Sequence, residues 1–397
     1  MIISSANRLQ HVQEYYFSRK LAEVRALNAQ GRNIINLGIG DPDMAPSEDT
    51  IQALVDTSRK PGVHGYQPYN SIAPLRQAIA GWYGRTYNVD LDPETEVLPL
   101  MGSKEGIFHV SMAFLNPGDK VLVPNPGYPA YAAAAKLVGA EPVFYSLKEE
   151  NGWLPQEEEL EQLLAGGDIK LMWVNYPHMP TGAEATAEVL ENLVQLALKH
   201  RFLLANDNPY SLVLPNEKPL SLLSLPNAKE CCLEFNSLSK SHNMAGWRVG
   251  MVLGRQDYLQ CVLRVKSNLD SGMFLPVQHA AIQALSNPDA WHEARNAVYA
   301  QRRQKVYELL ELLGCSYEKN AVGMFVWARV PDQVTNVEAF LDEILYEAGV
   351  FLTPGKIFGT QGERYLRISL CLPETKIEEA TNRISKHLTS AKTEISL

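Results

Sequence analysis

A lysine in the second half of the chain stands among residues that bind anions. Lys240 follows Ser237-Leu238-Ser239 directly, and Arg248 stands eight residues beyond it. Serine hydroxyls donate hydrogen bonds to phosphate oxygens, and an arginine can bind a phosphate with two parallel N–H groups. The grouping therefore predicts an amine held beside a phosphate.

Two further positions carry chemical groups that complement this lysine. Asp207 and Tyr210 come just after an apolar run at 202–205. Gly102-Ser103-Lys104 comes directly before a helical pattern, where free backbone N–H groups and the helix dipole favour a phosphate. A Gly-Ser turn before a helix is also a common N-cap, so this motif is weak by itself.

Taken together, these residues predict Schiff-base chemistry on a phosphorylated ring compound. Such chemistry needs an amine with a lowered pKa, a carboxylate that keeps a ring nitrogen protonated, a phenol near the ring oxygen and a phosphate site. Lys240, Asp207 and Tyr210 would supply the first three groups. Each residue alone has an ordinary structural interpretation, and only the combination is specific.

The elements that position these residues follow an alternating pattern. Between about residues 96 and 253, short apolar runs alternate with helical patterns, which predicts a mostly parallel sheet with helices on both faces. The predicted strands are 120–123, 142–145, 170–174, 202–205, 232–235 and 249–253, and the predicted helices are 105–114, 128–137, 187–199 and 258–267. Ligands bind beyond the carboxyl ends of such strands, which is where the chemically active residues stand.

The pattern changes after Pro288. A stretch to residue 313 predicts one long helix, and strands are predicted near 324–329 and 365–370. A chain of 397 residues also exceeds the usual size of one domain. We therefore predict an α/β fold with a large domain at 44–287 and a smaller α+β domain formed by 288–397 and an N-terminal arm, 1–43.

Composition excludes several classes of protein. The chain has no apolar run of eighteen residues and no apolar core near its N-terminus, which predicts a cytoplasmic protein without a membrane partner. The net charge of −9 without a basic stripe argues against nucleic acid as a partner. The five cysteines form no Cys-x-x-Cys pair, so neither a disulfide framework nor a metal site is expected.

Separated motifs in a fixed order carry a resemblance to a known family. They are Leu37-Gly38-Ile39-Gly40-Asp41-Pro42, Gly65-Tyr66-Gln67-Pro68, Gly102-Ser103-Lys104, Asn125-Pro126-Gly127-Tyr128-Pro129, Pro180-Thr181-Gly182, Asp207-Asn208-Pro209-Tyr210, Ser237-Leu238-Ser239-Lys240 and Tyr365-Leu366-Arg367. Over nearly its whole length the chain resembles the fold type I aminotransferases of class I and II, which depend on pyridoxal 5′-phosphate (PLP). Segment 266–274 and Tyr15-Tyr16-Phe17 are similar to the aspartate and LL-diaminopimelate types.

The resemblance implies a reaction and roles for three residues. An amino group would pass from an amino acid to a 2-oxo acid in a ping-pong mechanism, with PLP carried on Lys240 as a Schiff base. Lys240 would also move the proton at the substrate α-carbon. Asp207 would pair with the ring nitrogen and Tyr210 would donate to the ring oxygen.

The resemblance also implies cofactor contacts and a partner. The residues implied at the phosphate are Ser103, Lys104, Ser237, Ser239 and Arg248. Tyr128 would stack on the ring, with Asn175 at a strand end close by. Tyr66 resembles a phosphate ligand that comes from the neighbouring subunit, which implies a homodimer with shared active sites.

For the substrate, the resemblance implies that Arg367 binds the α-carboxylate, with the backbone near Gly40 closing over it. Asn268 and Tyr15 are further candidates on the substrate side. An exposed loop asparagine and a packed tyrosine are the alternative interpretations of these two residues.

Two positions depart from the family pattern. Met179-Pro180-Thr181-Gly182 stands where the family usually has Asn-Pro-Thr-Gly, and a thioether cannot donate the hydrogen bonds that the asparagine makes. Asn175, His178 or a water molecule are candidates to replace that donor. Ser71 stands where glycine is common, so the local turn could differ.

Two other functions share this pattern of residues. A PLP-dependent carbon–sulfur lyase or another β-lyase uses the same fold and the same lysine. A PLP-binding regulator without enzymatic activity is the second alternative, although such regulators normally carry a DNA-binding domain and no basic N-terminal module occurs here.

Overall fold

The structure is a computed structural model that describes residues 3–12, 14 and 16–394. The strands are Ile35–Asn36 (β1), Val97–Leu100 (β2), Lys120–Asn125 (β3), Glu141–Ser146 (β4), Ile169–Val174 (β5), Leu203–Asp207 (β6), Cys232–Ser237 (β7), Gly250–Gly254 (β8), Ser316–Tyr317 (β9), Phe325–Arg329 (β10), Val350–Phe351 (β11), Thr353–Pro354 (β12) and Tyr365–Ser369 (β13). The α-helices are Tyr16–Ala29 (α1), Glu48–Ser58 (α2), Ala73–Tyr87 (α3), Ser103–Phe114 (α4), Pro129–Leu137 (α5), Glu157–Leu164 (α6), Ala187–His200 (α7), Leu238–Ser241 (α8), Gln256–Lys266 (α9), Leu275–Ala284 (α10), Asp289–Leu312 (α11), Val337–Glu343 (α12) and Glu374–Glu394 (α13).

The central sheet has seven strands in the order β2-β8-β7-β6-β5-β3-β4. Strand β8 runs antiparallel to both of its neighbours, β2 and β7, and the other pairs are parallel. The prediction of a mostly parallel sheet is therefore confirmed. Strand β2 was not predicted, because Pro99 interrupts its short apolar run; it is an edge strand, where a proline is tolerated.

Alternate residues of the central strands pack on opposite faces of the sheet. Val121 and Trp173 belong to one buried cluster, together with side chains of α4, α5 and α9. Leu122 and Met172, their neighbours in sequence, belong to a second cluster that includes side chains of α3, α6 and α7. The two-residue period of a strand thus places helices on both faces, as predicted.

A second region follows the large sheet. Strands β12-β13-β10-β9 form an antiparallel sheet, and β1 pairs with β11 in parallel. The long helix expected after Pro288 is α11, which packs against α13. The domain boundaries at 43/44 and 287/288 stay a prediction. Within the described part of the chain, none of the helices combines the length and apolar character needed to span a bilayer.

A buried arginine on α11 joins two loops of the second region. The Nη1 and Nη2 atoms of Arg302 lie 2.6 and 2.9 Å from the carboxylate oxygens of Asp43, in a two-pronged ion pair. Nη1 also donates to the backbone oxygen of Leu370 at 3.1 Å. Asp43 follows Gly40 by three residues, and Leu370 follows Arg367 by three. The arginine therefore fixes two segments that carry predicted substrate residues.

We predict that Arg302→Ala lowers the thermal midpoint of unfolding by several degrees, since removing one partner of a largely buried pair costs about 2 kcal/mol or more. The matched control is Arg255→Ala, whose guanidinium lies 2.7 Å from Glu230 with both side chains exposed. Exposed pairs contribute at most about 1 kcal/mol. Differential scanning calorimetry checks both variants, and equal shifts would contradict the structural role of Arg302.

Candidate active site

The predicted site residues meet at one edge of the central sheet. Asp207 and Ser237 are the last residues of β6 and β7, and Asn175 directly follows β5. Arg248 precedes β8, and because β8 runs in the opposite direction, its beginning lies at the same edge. Ser103 begins α4 just after β2. Strand direction alone therefore brings these residues together.

They line a cleft of about 380 Å³. The sequence-predicted site residues that line it are Gly40, Ser103, Lys104, Tyr128, Asn175, Asp207, Tyr210, Ser237, Ser239, Lys240, Arg248 and Arg367. Residues from distant parts of the chain thus share one cavity, and its lining includes both strand-end loops and the second region.

Three sequence-predicted residues are not found in this cleft. Tyr66 is 91% exposed, which leaves its ring outside the cavity of its own chain. Asn268 is also exposed, and its Nδ2 donates to the backbone oxygen of Arg264 at 2.8 Å. Tyr15 lies outside the described residues.

The loop that carries Tyr66 packs against the segment after α9. A Cβ atom on Gly272 would overlap with the backbone of Gln67, so the two segments approach each other closely. Ser71 adopts a φ of 63°, the left-handed conformation that glycine favours. The turn therefore keeps the backbone form expected of a glycine despite the different residue.

Other cleft residues were not predicted from the sequence. They are Phe17, Leu21, Ile39, Tyr131, Pro209, Ala245, Phe325 and Phe358. Most are apolar, and an apolar residue in a regular pattern cannot be told from ordinary core. Tyr131 offered a signal, because it stands three residues after Tyr128, on the first turn of α5.

The carboxylate of Asp207 is buried, and one of its two oxygens accepts a hydrogen bond from a described residue. Its Oδ2 accepts a hydrogen bond of 2.9 Å from the hydroxyl of Tyr131, whose ring stacks on Trp173. Its Oδ1 is buried without a hydrogen-bond partner among the described residues. Burial raises the pKa of Asp207 to about 7, against the opposing effect of the Tyr131 hydrogen bond. A positively charged N–H donor placed at Oδ1 would complete this site.

Lys240 lies in the same cleft on the short helix α8. Its Nζ donates to the backbone oxygen of Gly40. Burial lowers the pKa of the Lys240 amine, and the positive charges of Arg367 and Arg248 act in the same direction. A lysine with a lowered pKa is available as a neutral nucleophile at a pH where an exposed lysine is protonated.

A second buried arginine on α11 holds the backbone around this lysine. Arg295 donates to the backbone oxygen of Ser241, the residue after Lys240, and to that of Leu212, two residues after Tyr210. The hydroxyl of Ser241 donates in turn to the backbone oxygen of Ser237 at 3.0 Å. Helix α11 therefore fixes the loops that follow both β6 and β7.

An anion site forms where α4 begins. A Cβ atom on Gly102 would overlap with the guanidinium of Arg248, so glycine lets this cation lie against the helix start. Burial lowers the pKa of Lys104, and the nearby Arg248 charge adds to the effect. Ser237 Oγ donates to Ser239 Oγ at 2.9 Å on the adjacent side. Two cations, hydroxyls and a helix N-terminus together favour a dianion such as a phosphate.

Glu105 supports the turn before α4. Its Oε2 accepts from the backbone N–H of Met101 at 2.7 Å, and its Oε1 lies 2.7 Å from His109 Nε2. Asp270 lies beside this pair, and it is joined to the buried ammonium of Lys266 at 2.6 Å. The positive charge in this cluster thus comes from a lysine.

Arg367 also lines the cleft, and its guanidinium lies in an aromatic environment. Its Nη2 donates to the backbone oxygen of Gly38 at 2.7 Å, and its Nη1 lies 3.2 Å from the sulfur of Met179. The rings around its guanidinium are Phe325 at 3.9 Å, Phe358 at 4.7 Å and Phe17 at 5.4 Å from the centroids. Met179 therefore faces the arginine with a hydrogen-bond acceptor, where the family asparagine offers a donor.

The candidates to replace that asparagine differ in position. Asn175 lines the cleft; it donates to the backbone oxygen of Asp207 and accepts from the Met179 N–H at 2.9 Å. His178 does not line the cleft, and its Nδ1 lies 2.7 Å from the hydroxyl of Thr181. Burial lowers the pKa of His178 to about 3, so its ring is neutral. Of the two side chains, Asn175 remains the candidate.

We predict that, at pH 8, the substitution Asp207→Asn raises the stability of the ligand-free protein. Because the folded-state pKa is raised from 3.8 to about 7, the folded protein binds more protons than the unfolded chain between about pH 4 and pH 7. Stability therefore falls as the pH rises through this window, and the asparagine variant avoids a loss of up to about 4 kcal/mol. Thermal midpoints measured from pH 4 to pH 8 check the difference, which should vanish near pH 4.

Tyr131→Phe is the companion variant to Asp207→Asn. It keeps the carboxylate and removes the hydrogen bond that lowers its pKa, so the titration window should move to higher pH. Parallel pH profiles for the wild type and Asp207→Asn would show that Asp207 is not the buried titrating group.

Comparisons with known proteins identify the family. Residues 32–384 match the model of aminotransferase class I and II. The LL-diaminopimelate aminotransferase of Aquifex aeolicus is 40% identical over 380 residues, covering 96% of this chain and 98% of the relative. That of Oleidesulfovibrio alaskensis is 42% identical over 383 residues, with the same coverage.

Solved structures agree with these relatives. Substrate-bound BacF from Bacillus subtilis has a TM-score of 0.92 and 36% identity, covering 97% of this chain and 98% of that one. Aspartate aminotransferase from Thermus thermophilus with maleate has a TM-score of 0.90 and 27% identity, covering 97% and 99%. The fold and the enzyme class expected from the ordered motifs are thereby confirmed. The protein belongs to the class I and II aminotransferases.

Proposed function

We propose that this enzyme binds PLP at Lys240 and moves an amino group between an amino acid and a 2-oxo acid. The observation that carries the proposal is the unpartnered, buried Oδ1 of Asp207, in the same cleft as the buried amine of Lys240. When bound, PLP supplies an aldehyde that takes up amines and a protonated ring that withdraws electrons from the substrate α-carbon. A carboxylate that lacks one hydrogen bond fits a protonated ring nitrogen.

The side chains that would hold the cofactor surround the cleft. Asp207 would bind the ring nitrogen, Tyr210 would donate to the ring oxygen, and Tyr128 would lie against the ring. The phosphate would be held by Ser103, Lys104, Ser237, Ser239 and Arg248. Asn175 would keep Asp207 in place through its hydrogen bond to the Asp207 backbone oxygen.

Lys240 is the group placed to move a proton. Its buried amine has a lowered pKa, which favours the neutral form that can accept the proton of the substrate α-carbon. Its hydrogen bond to the Gly40 oxygen fixes the position of the amine, and Gly40 and Arg367 line the same cleft. Arg367 would bind the α-carboxylate and thereby fix the direction of the α C–H bond.

A homodimer with shared sites completes the proposal. Tyr66 is 91% exposed. Three other large apolar side chains are also exposed: Tyr69 on the same loop, and Leu269 and Phe274 between α9 and α10. Exposed rings of this kind favour burial against another chain. Tyr66 would then bind the phosphate of the partner's cofactor, and Asn268 and Tyr15 remain proposed on the substrate side. We expect the cytoplasm as the location, since all five cysteines carry free thiols.

We predict that Lys240→Ala folds and binds PLP without a covalent link. Wild-type enzyme treated with borohydride should retain the cofactor after denaturation, whereas the variant should release it. Transfer of the amino group should slow by at least about 10³-fold, because both the attachment point and the proton-accepting group are lost. Absorbance changes on mixing with an amino acid measure this rate, with the exposed Lys376→Ala as control.

The same assay separates the alternatives. Conversion of the wild-type cofactor to its pyridoxamine form supports transamination. Release of pyruvate and ammonia would support a lyase activity in place of transamination. A variant that retains a reducible link and full turnover would refute the role of Lys240.

We predict that mixed dimers of Tyr66→Ala and Lys240→Ala subunits recover activity that neither parent has. If Tyr66 serves the partner's site, each mixed dimer holds one site with both native residues, or about one quarter of all sites after random mixing. If Tyr66 serves its own chain, every site keeps a defect. Specific activity after denaturation and joint refolding at limiting PLP checks this, with sedimentation to confirm dimers. A fully active monomer would contradict the shared site.

A further inference from the structure

The proposed function leaves a buried lysine at the end of α9 without a task. Lys266 is 1% exposed, and its Nζ lies 2.6 Å from Oδ2 of Asp270, whose side chain is also almost completely buried. Oδ1 of Asp270 accepts a hydrogen bond of 2.8 Å from the N–H of Gly272. Burial acts to raise the pKa of Asp270, but the hydrogen bonds from Lys266 and Gly272 outweigh it and hold that pKa below its usual value. Asp270 is therefore an ionised group that fixes the turn after α9.

This ion pair extends to the proposed phosphate site through Glu105. An oxygen atom of Glu105 and one of Asp270 lie within 4.8 Å of each other. Two carboxylates this close repel each other unless a cation compensates their charge, and Lys266 supplies that cation. Glu105 can then keep its Oε2 atom 2.7 Å from the backbone nitrogen of Met101, the residue before the turn 102–104. The ammonium of Lys266 thus supports the segment that is proposed to bind the phosphate.

The segment after this ion pair also supports the loop that carries Tyr66. A Cβ atom on Gly272 would overlap with the backbone of Gln67. The ring of Phe274 stacks on that of His64, with 5.8 Å between the centroids. Tyr66 stands between His64 and Gln67 in the chain, and its own ring projects into solvent. The backbone of the loop is therefore held on both sides of Tyr66.

A buried glutamine strengthens the same connection. Gln278 is fully buried, and its Oε1 accepts a hydrogen bond of 2.9 Å from the N–H of Ile72, where the Tyr66 loop meets α3. Its Nε2 donates to the backbone oxygen of Met273 at 2.6 Å. The segment that begins with Asp270 and the Tyr66 loop are thus joined by hydrogen bonds as well as by packing.

We propose that Lys266 is a positioning residue for the cofactor phosphate. Its ammonium holds the turn 102–104 through Asp270 and Glu105, and it holds the Tyr66 loop through the segment after Asp270. The proposal rests on the proposed function, in which the turn binds the phosphate of its own subunit and Tyr66 that of the partner. Groups that bind a ligand need supporting contacts that keep them within about 0.5 Å of their productive positions. One lysine in each subunit thereby serves both phosphate sites of the dimer.

The affinity for PLP relative to pyridoxal tests this role. Pyridoxal has the same ring and aldehyde but lacks the phosphate, so the ratio of the two dissociation constants isolates the phosphate site. Ligand-free dimers of the wild type and of Lys266→Met would be titrated with each compound by absorbance. We expect the Kd of PLP to rise by about 10-fold or more, and that of pyridoxal to change by less than about 2-fold.

A second substitution tests whether charge compensation is the cause. Lys266→Met leaves two carboxylates side by side without their cation. Adding Asp270→Asn removes their repulsion and keeps an oxygen for the Gly272 N–H, so we expect the double variant to recover most of the lost PLP affinity. Should Lys266→Met not fold, Lys266→Gln keeps a donor for Asp270 without the charge and decides by the same comparison.

Lys20→Met is the matched control. Lys20 lies 2.9 Å from Asp342 and 3.0 Å from Glu23, and none of these residues lines the cleft. This variant also removes a lysine from a largely buried ion pair, but the ratio of the PLP and pyridoxal affinities should stay that of the wild type. Thermal midpoints of all variants show whether a change in affinity merely follows a loss of stability.

Hydrogen exchange of the backbone separates the two supported segments. In Lys266→Met, the amides of 101–105 and of 64–68 should both exchange about 10-fold faster than in the wild type. Faster exchange in one segment alone would overturn the role of Lys266 for the other.

The outcomes distinguish this inference from the proposed function. A folded Lys266→Met dimer with the wild-type affinity ratio, or a double variant that binds PLP as weakly as the single one, would overturn the positioning role. Wild-type protein that binds PLP no more tightly than pyridoxal, or without a link reducible by borohydride, would refute the proposed function instead.

Discussion

The direction of the strands is the constraint on which the rest of this molecule depends. Parallel strands place all of their carboxyl ends at one edge of a sheet, so polar residues that follow β5, β6 and β7 must lie together. The reversed strand β8 adds a residue that precedes it, Arg248, to the same edge. The sheet thus brings polar and charged residues together, and no contact between their side chains is needed for this.

Burial then determines what this cluster can do. Asp207 and Lys240 are both removed from water, which raises the pKa of the acid and lowers the pKa of the amine. Both shifts disfavour charge, so ionisation of either residue is electrostatically costly in this cleft. A ligand that offers a cationic N–H donor, an aldehyde carbon and a phosphate dianion would compensate these costs together. This combination of groups supports the proposed binding of PLP.

Helix α11 connects this edge with the second region. Arg295 binds the backbone that follows Lys240 and Tyr210, and Arg302 binds the loops that follow Gly40 and Arg367. The two arginines stand seven residues apart, about two helical turns, and therefore on similar faces of the helix. A single helix thus connects the backbone that follows Lys240 and Tyr210 with the loops that follow Gly40 and Arg367.

The sequence by itself determined the strand-and-helix alternation and the long α11, and it singled out Lys240 and Asp207 as candidate site residues. Local periodicity and residue type carry that information, because they depend on neighbours in the chain. Strand β2 escaped prediction, since Pro99 interrupts the short apolar run of this edge strand, which pairs with β8. The hydrogen bond from Tyr131 to Asp207 and the phenylalanine rings around Arg367 were decided by the tertiary structure alone. Such contacts join residues tens to hundreds of positions apart, and an apolar side chain looks the same in sequence whether it faces the core or a ligand.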